Sequence, residues 1–313
     1  METVVLFIAM FLMLLHPENV TKGASTGLLM WYQSVVPALF PFMVISSLIS
    51  SMGGIEILMT PIHRFLHPVL PISKSGFYVL VSGFLCGYPM GAKTCADLVN
   101  TDQITLQEGK FLLSICNHPS PMFLLGYVYP FLKERIPLPA FLFSIYGPVA
   151  ILAILAKYVY RINKQTSDTS IHTTKIPDHT DSVSQNISLD DQIMTAAYIL
   201  CKICGYLILF SVVIVFLKNA KWLSDPLKLL FIISMEITTG VREISTSLSL
   251  KHTWIMMAAA LGFGGFSGIF QTRSVLKNEK KAGLSIRPYI LWKLLHAVLS
   301  AGIAAILCNI VQY

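Results

Sequence analysis

Long apolar runs, repeated along almost the whole chain, constrain this sequence more than any other feature. They fall at about 27–51, 76–99, 110–132, 138–160, 193–217, 227–249, 253–271 and 288–311. A helix needs roughly 20 such residues to cross a hydrocarbon core of about 30 Å. Of 313 residues, 54% are hydrophobic and 12% charged, against about 25% charged in ordinary soluble domains. A soluble fold of this size could not hide so much apolar surface. In lipid the backbone must satisfy its own polar groups, so the sequence predicts an all-α polytopic membrane protein in contact with the bilayer.

Several runs are interrupted where a lipid-facing helix would be continuous. Pro37 and Pro41 fall in the first, Gly87-Tyr88-Pro89-Met90-Gly91 in the second and Asn117-His118-Pro119-Ser120-Pro121 in the third. Thr238-Thr239-Gly240 and the glycine-rich run 262–268 interrupt two later ones. Proline and glycine open the helical hydrogen-bond ladder, and open backbone at membrane depth is tolerated only inside protein or beside a watery cavity.

The interruptions correspond between two blocks, 27–160 and 191–313, with a hydrophilic linker at 161–190 rich in Ser, Thr, Asp and Lys. Met90-Gly91-Ala92-Lys93 parallels Thr239-Gly240-Val241-Arg242, and a second break follows about 25 residues later in each block. Two repeated halves with broken or re-entrant helices are therefore expected, with a binding site where the paired breaks meet. The excess of Lys and Arg in the linker and in 273–287 predicts that both face the cytoplasm. Three full spans between them would put them on opposite sides, so 227–249 is expected to be a re-entrant hairpin.

Residues 1–26 read as an anchor or a signal-like segment: Val4 to Leu15 as a short first span, or cleavage in the small-residue stretch Gly23 to Thr26. Segment 55–74, polar and proline-broken, is expected at the interface. The net charge of +7 is dispersed between apolar runs rather than gathered in a stripe, which argues against nucleic acid as a partner. Cys201-Lys202-Ile203-Cys204 lacks the second ligand pair of a zinc site, and the chain carries no motif of a known catalytic class, so neither a cofactor, a metal nor an enzymatic activity is expected.

The string Gly83-Phe84-Leu85-Cys86-Gly87-Tyr88-Pro89-Met90-Gly91-Ala92-Lys93, followed by Leu113-Ser114-Ile115-Cys116-Asn117, resembles the YlbJ (stage V sporulation) family of membrane proteins. Gly264-Gly265-Phe266-Ser267 with Gln271, Arg287-Pro288-Tyr289 leading into Leu294-Leu295-His296-Ala297, and Val36-Pro37-Ala38-Leu39-Phe40-Pro41-Phe42 are similar to the same family. That family belongs to a wider nucleoside-recognition or gate-domain group. The resemblance implies passage of dipicolinate across the outer forespore membrane, with a nucleoside-like solute, or a gate or scaffold role without transport, as alternatives.

Lys93 and Arg242 each follow a glycine at a break. A cation at the bilayer centre costs about 2.5–3.5 kcal/mol and marks a pathway or an ion pair. They are candidate ligands for a small-molecule anion, each meeting one carboxylate of a dianion. The alternative is pairing with Asp97, Glu236 or Glu243. Gly91, Asn117, His118 and Ser120 in the first half, and Glu236, Thr239, Gly240, Ser267 and Gln271 in the second, complete the candidate substrate site. Tyr289, Lys293, His296 and Ser300 share one helical face, as do Asp191, Thr195, Tyr198, Lys202 and Gly205; both stripes are expected to pack helices by hydrogen bonding. Partners beyond the anion and the bilayer would be further copies of the chain or other membrane proteins.

Overall fold

The computed structural model describes residues 2–51, 59–61, 63–64, 67–68, 70–132, 136–162, 188–277 and 283–310. Among them there is no strand. The chain opens with α1 (Glu2–Leu15) and α2 (Pro17–Met30), joined at His16, with Pro17 in the first turn where its missing N–H costs nothing. At 14 residues α1 reaches about 21 Å, short of a crossing. It keeps Leu6, Phe7 and Leu14 exposed.

A widened turn at Trp31–Val35 leads from α2 into α3 (Val36–Ser51), and the two arms bend by 51°. Pro37 denies a hydrogen bond to the carbonyl four residues back and crowds it, which places the bend just before it. Pro41, expected to break the run, lies inside α3 without ending it. The small-residue stretch is a helix contact: a side chain at Gly23 would meet the Val212 Cα at 2.6 Å, and one at Gly27 the Ile208 Cα at 2.8 Å. Segment 55–74 and the linker lie largely outside the described residues.

The rest of the first half comprises α4 (Lys74–Cys86), α5 (Met90–Asn100), α6 (Leu106–Ile115), an irregular helical segment over 121–131, and α7 (Leu138–Val159). Ser73 and Thr105 cap α4 and α6 by accepting from the backbone N–H three residues on, as short hydroxyl side chains do at helix starts. The second half comprises α8 (Leu189–Asn219), α9 (Asp225–Met235), α10 (Ile237–Ser247), α11 (Leu250–Phe263), α12 (Gly265–Lys277) and α13 (Ile286–Ile310). Each half thus runs through a helix hairpin, a broken helix and a long apolar helix.

Four stretches among the described residues are long and apolar enough to cross a membrane: α7, α8, Leu250–Leu276 (through α11 and α12) and α13; the bent α2–α3 pair would be a fifth. The chain is therefore an all-α polytopic membrane protein. The runs 76–99 and 227–249 are each split into two helices shorter than a crossing needs. Helices α5, α9 and α10 have 11 residues and α4 has 13, so each covers about 16–20 Å. Each pair folds back on itself: a side chain at Gly240 would lie 3.0 Å from the Ile233 Cα, and one at Gly83 3.1 Å from the Gly91 Cα.

Between the linker and the 273–287 loop, α8 and Leu250–Leu276 are the described stretches long and apolar enough to cross. The cavity lined by Tyr160 at the end of α7 and by Gly283 and Ser285 just before α13 puts those two chain segments at one end of the molecule.

Candidate functional site

Four helix breaks meet on one pocket. Its walls are Gly87 and Tyr88 between α4 and α5, Pro119 and Ser120 after α6, Glu236 to Thr238 between α9 and α10, and Gly264, Ser267, Gly268 and Gln271 at the α11–α12 break. Ser34 and Val35 from the widened turn and Ile203 and Leu207 from α8 close it. Its volume is about 60 Å³, room for a few waters.

Local sequence builds each break. A side chain at Gly83 or Gly91 would come within 1.9 or 2.3 Å of the Cys116 carbonyl oxygen, so the two glycines let the α4–α5 hairpin close around the end of α6. Tyr88 and Pro89, joined by a cis peptide, make the turn. Gly264 has a φ of 83°, in the left-handed region that favours glycine, and ends α11 there. Ser120 restarts the helix after the extended stretch by accepting from Phe123 N–H.

Glu236 forms the α9–α10 break. Its backbone is extended, and its carboxylate accepts from the N–H groups of Thr238 and Thr239 at 2.8 and 2.7 Å, which caps α10. The residue is 1% exposed. The ion pairs among the described residues are Lys93–Asp97, Lys218–Glu243 and Lys228–Asp225, so no basic side chain pairs with Glu236. The hydroxyls of Tyr127 and Tyr146 donate to the carbonyls of Thr238 and Pro119 at 2.9 and 2.8 Å, tying the 121–131 segment and α7 to the pocket wall.

Behind Gly264 lies a second polar region on α13. Tyr289, Lys293, His296 and Ser300 are all buried, as expected of a stripe that faces inward. The Lys293 ammonium donates to the Asn117 carbonyl at 3.2 Å, and Asn117 Nδ2 donates to the hydroxyls of Tyr289 and Thr272 at 2.8 and 2.9 Å. The His118 ring contacts the Ile115 carbonyl and the His296 ring lies 2.9 Å from the Ile145 carbonyl, each through Nε2. A carbonyl only accepts, so both rings carry their proton on Nε2. Their Nδ1 atoms, Asn117 Oδ1 and Ser300 Oγ have no hydrogen-bond partner among the described residues. Among the described residues no carboxylate pairs with Lys293. A side chain at Gly264 would sit 3.6 Å from Lys293 Cε and 3.8 Å from the Tyr88 ring, so Tyr88 and Lys293 border the same glycine.

Of the residues expected to form the site, Ser120, Glu236, Ser267 and Gln271 line the pocket, the last two joined by a 3.0 Å hydrogen bond. Asn117 and His118 belong to the Lys293 region. Thr239 stands one residue beyond the lining, its N–H on Glu236 and its hydroxyl toward Met30 Sδ. Gly91 and Gly240 serve the closure of their hairpins. Lys93 and Arg242 are not brought in: Lys93 bonds Asp97 at 2.6 Å with both side chains partly exposed, and Arg242 is exposed. A dianion divided between those two cations has no place in this geometry. Tyr88, Thr238 and the basic member of the site, Lys293, lie outside the expected set.

The second stripe also departs from expectation. Asp191, Thr195, Tyr198 and Gly205 are exposed and Lys202 is half-buried, its ammonium over the Tyr198 ring at 4.3 Å. The opposite face of α8, through Ile199, Leu200, Ile203 and Leu207, is the buried one.

Helix breaks converging on one pocket within a bundle of apolar helices define a multi-pass membrane protein. In sequence the chain is 28% identical over 316 residues, 91% of its own length and 77% of the relative's, to the sporulation integral membrane protein YlbJ of Bacillus subtilis (strain 168). That similarity spans both halves and supports the chain's place among the YlbJ-like sporulation membrane proteins. No family model matches the chain, and no solved structure matches it.

Proposed function

We propose that the protein carries a small organic anion across its membrane, dipicolinate during sporulation, and that the membrane concerned is the outer forespore membrane. The observation that carries the reading is Lys293. A lysine buried in a membrane helix without a carboxylate partner among the described residues holds a charge only with compensation, and an anionic solute supplies it when bound. The Asn117 carbonyl holds the ammonium beside Gly264, at the rim of the pocket formed by the breaks.

Transport rather than scaffolding is favoured because packing alone needs small residues, not a buried ammonium and a buried carboxylate beside opened helix ends. Helices α7 and α13 hold corresponding places in the two halves and run antiparallel: Trp292 near the start of α13 donates to Tyr160 near the end of α7 at 3.0 Å. An inverted repeat has this relation, and it suits alternating movement of one half against the other. At about 60 Å³ the pocket is smaller than such a solute, so a solute enters as the halves move apart.

Glu236 favours a second reading, a neutral solute with hydrogen-bond donors such as a nucleoside, because the pocket lining itself holds a carboxylate and, among the described residues, no cation. Calorimetry on purified protein separates the two. Dipicolinate should bind, and a pyridine monocarboxylate should bind about ten- to a hundredfold more weakly for loss of a charge-assisted contact. Heat from a nucleoside and none from dipicolinate would move the function to the second reading, and no response to any solute, with no uptake, would leave the scaffold role.

A further inference from the structure

A larger cavity lies on the other side of the Lys293 region. It measures about 270 Å³, close to the lower end of small-molecule pockets, and is lined by Lys110, Ser114, Tyr160, Tyr289 and Trp292 among others. A neighbouring cavity of about 420 Å³ shares Lys110 and Tyr160 and adds Gln107 and Arg161. Among the described residues neither lining contains Asp or Glu. Lys110 and Arg161 are exposed and take no part in an ion pair among the described residues. The Trp292 and Tyr160 rings stand 6.2 Å apart at 42°, held by the bond from Trp292 Nε1 to the Tyr160 hydroxyl.

The floor connects inward. Tyr289 lines the 270 Å³ cavity, and its hydroxyl accepts from Asn117 Nδ2, whose residue's carbonyl holds Lys293. The linings therefore run from two exposed cations, past two aromatic rings, to Tyr289, which shares Asn117 with Lys293. Exposed cations raise the local concentration of anions. Flat aromatic faces suit a planar ring, and Lys110 supplies a charge-assisted contact to its carboxylate.

The geometry points to a vestibule: a second site, at the end of the molecule where α7 stops and α13 starts, that collects a planar aromatic carboxylate before it reaches Lys293. The inference rests on the transport reading above and adds a separate binding step to it.

Trp292 makes the step visible. Tryptophan fluorescence of the purified full-length protein should be quenched by pyridine-2,6-dicarboxylate and not by a non-aromatic dicarboxylate such as succinate. Trp292→Phe should abolish the quench, leaving the other three tryptophans unresponsive. Lys110→Gln should weaken it about tenfold, the worth of one charge-assisted contact, and raise the KM of uptake while leaving the maximal rate unchanged. Quenching that survives in Trp292→Phe, or a Lys110→Gln variant with wild-type affinity and KM, overturns the vestibule. Uptake without any Trp292-dependent quench also overturns it and leaves the transport reading standing. A Trp292-dependent quench in a protein that moves nothing across a membrane keeps the vestibule and removes the transport reading.

Discussion

Lys293 and Asn117, 176 residues apart, are joined by a 3.2 Å bond from the ammonium to a backbone carbonyl opened by the break after α6. That contact ties the last helix to a break in the first half. Its energetics have a definite sign. Lys293→Met keeps the length of the side chain and removes a buried charge with no carboxylate partner. Replacing buried charges by apolar groups of similar volume is neutral or stabilising by about 1–4 kcal/mol. The variant should melt at or above the wild-type temperature in detergent. A marked fall in melting temperature would show that Lys293 serves the fold.

The hairpin glycines should behave oppositely. At Gly91 an added methyl would lie 2.3 Å from the Cys116 carbonyl oxygen, and backbone cannot yield as a side-chain tip can. Gly91→Ala should destabilise by about 1–3 kcal/mol or more, as overpacking does. Gly302, on α13 with nothing near its added methyl, is the control. There alanine should stabilise by about 0.5–1 kcal/mol through helix propensity. Thermal unfolding of the two variants side by side checks both signs.

Lys93→Gln and Arg242→Gln should be mild. The Lys93–Asp97 pair is partly exposed, and such pairs contribute about 0–1 kcal/mol. Arg242 is exposed and neither side chain reaches the pocket. Dipicolinate affinity by calorimetry should remain within about threefold of wild type, a difference under 1 kcal/mol. A larger loss in either variant would return these cations to the site.

Topology is open to cysteine labelling. Four native cysteines are buried, so replacing Cys201 and Cys204 gives a quiet background. Cysteines at Arg161 and Ser285 should react from the cytoplasmic side, and those at Lys221 and Leu248 from the other. Labelling of positions 161 and 285 from opposite sides would refute the α9–α10 hairpin.

Much of this architecture could be read in the residues themselves. The paired interruptions located the breaks, and the conflict between loop charge and span count pointed to the 227–249 hairpin. The α13 stripe was legible because Tyr289, Lys293, His296 and Ser300 repeat with helical period. Period alone does not say which side of a helix meets protein. On α8 that was decided by packing against α3, where Leu39, Met43 and Val44 meet Ala196, Ile199, Leu200 and Ile203 and leave Asp191 and Tyr198 out. Lys93 and Arg242 drew attention because they adjoin glycines in sequence, but one helical turn past a break already carries a side chain away from it. Lys293 stands in mid-helix with no break beside it. Tertiary contacts with Asn117 and with Gly264 bring it to two of them.

The central claim is transport, and uptake into proteoliposomes containing only this protein tests it most directly. Labelled dipicolinate should enter saturably, with uptake by Lys293→Met reduced about ten- to a hundredfold, the worth of a lost charge-assisted contact, and uptake by Lys93→Gln unchanged. Entry no faster than into protein-free liposomes, or equal uptake by wild type and Lys293→Met, would contradict the account.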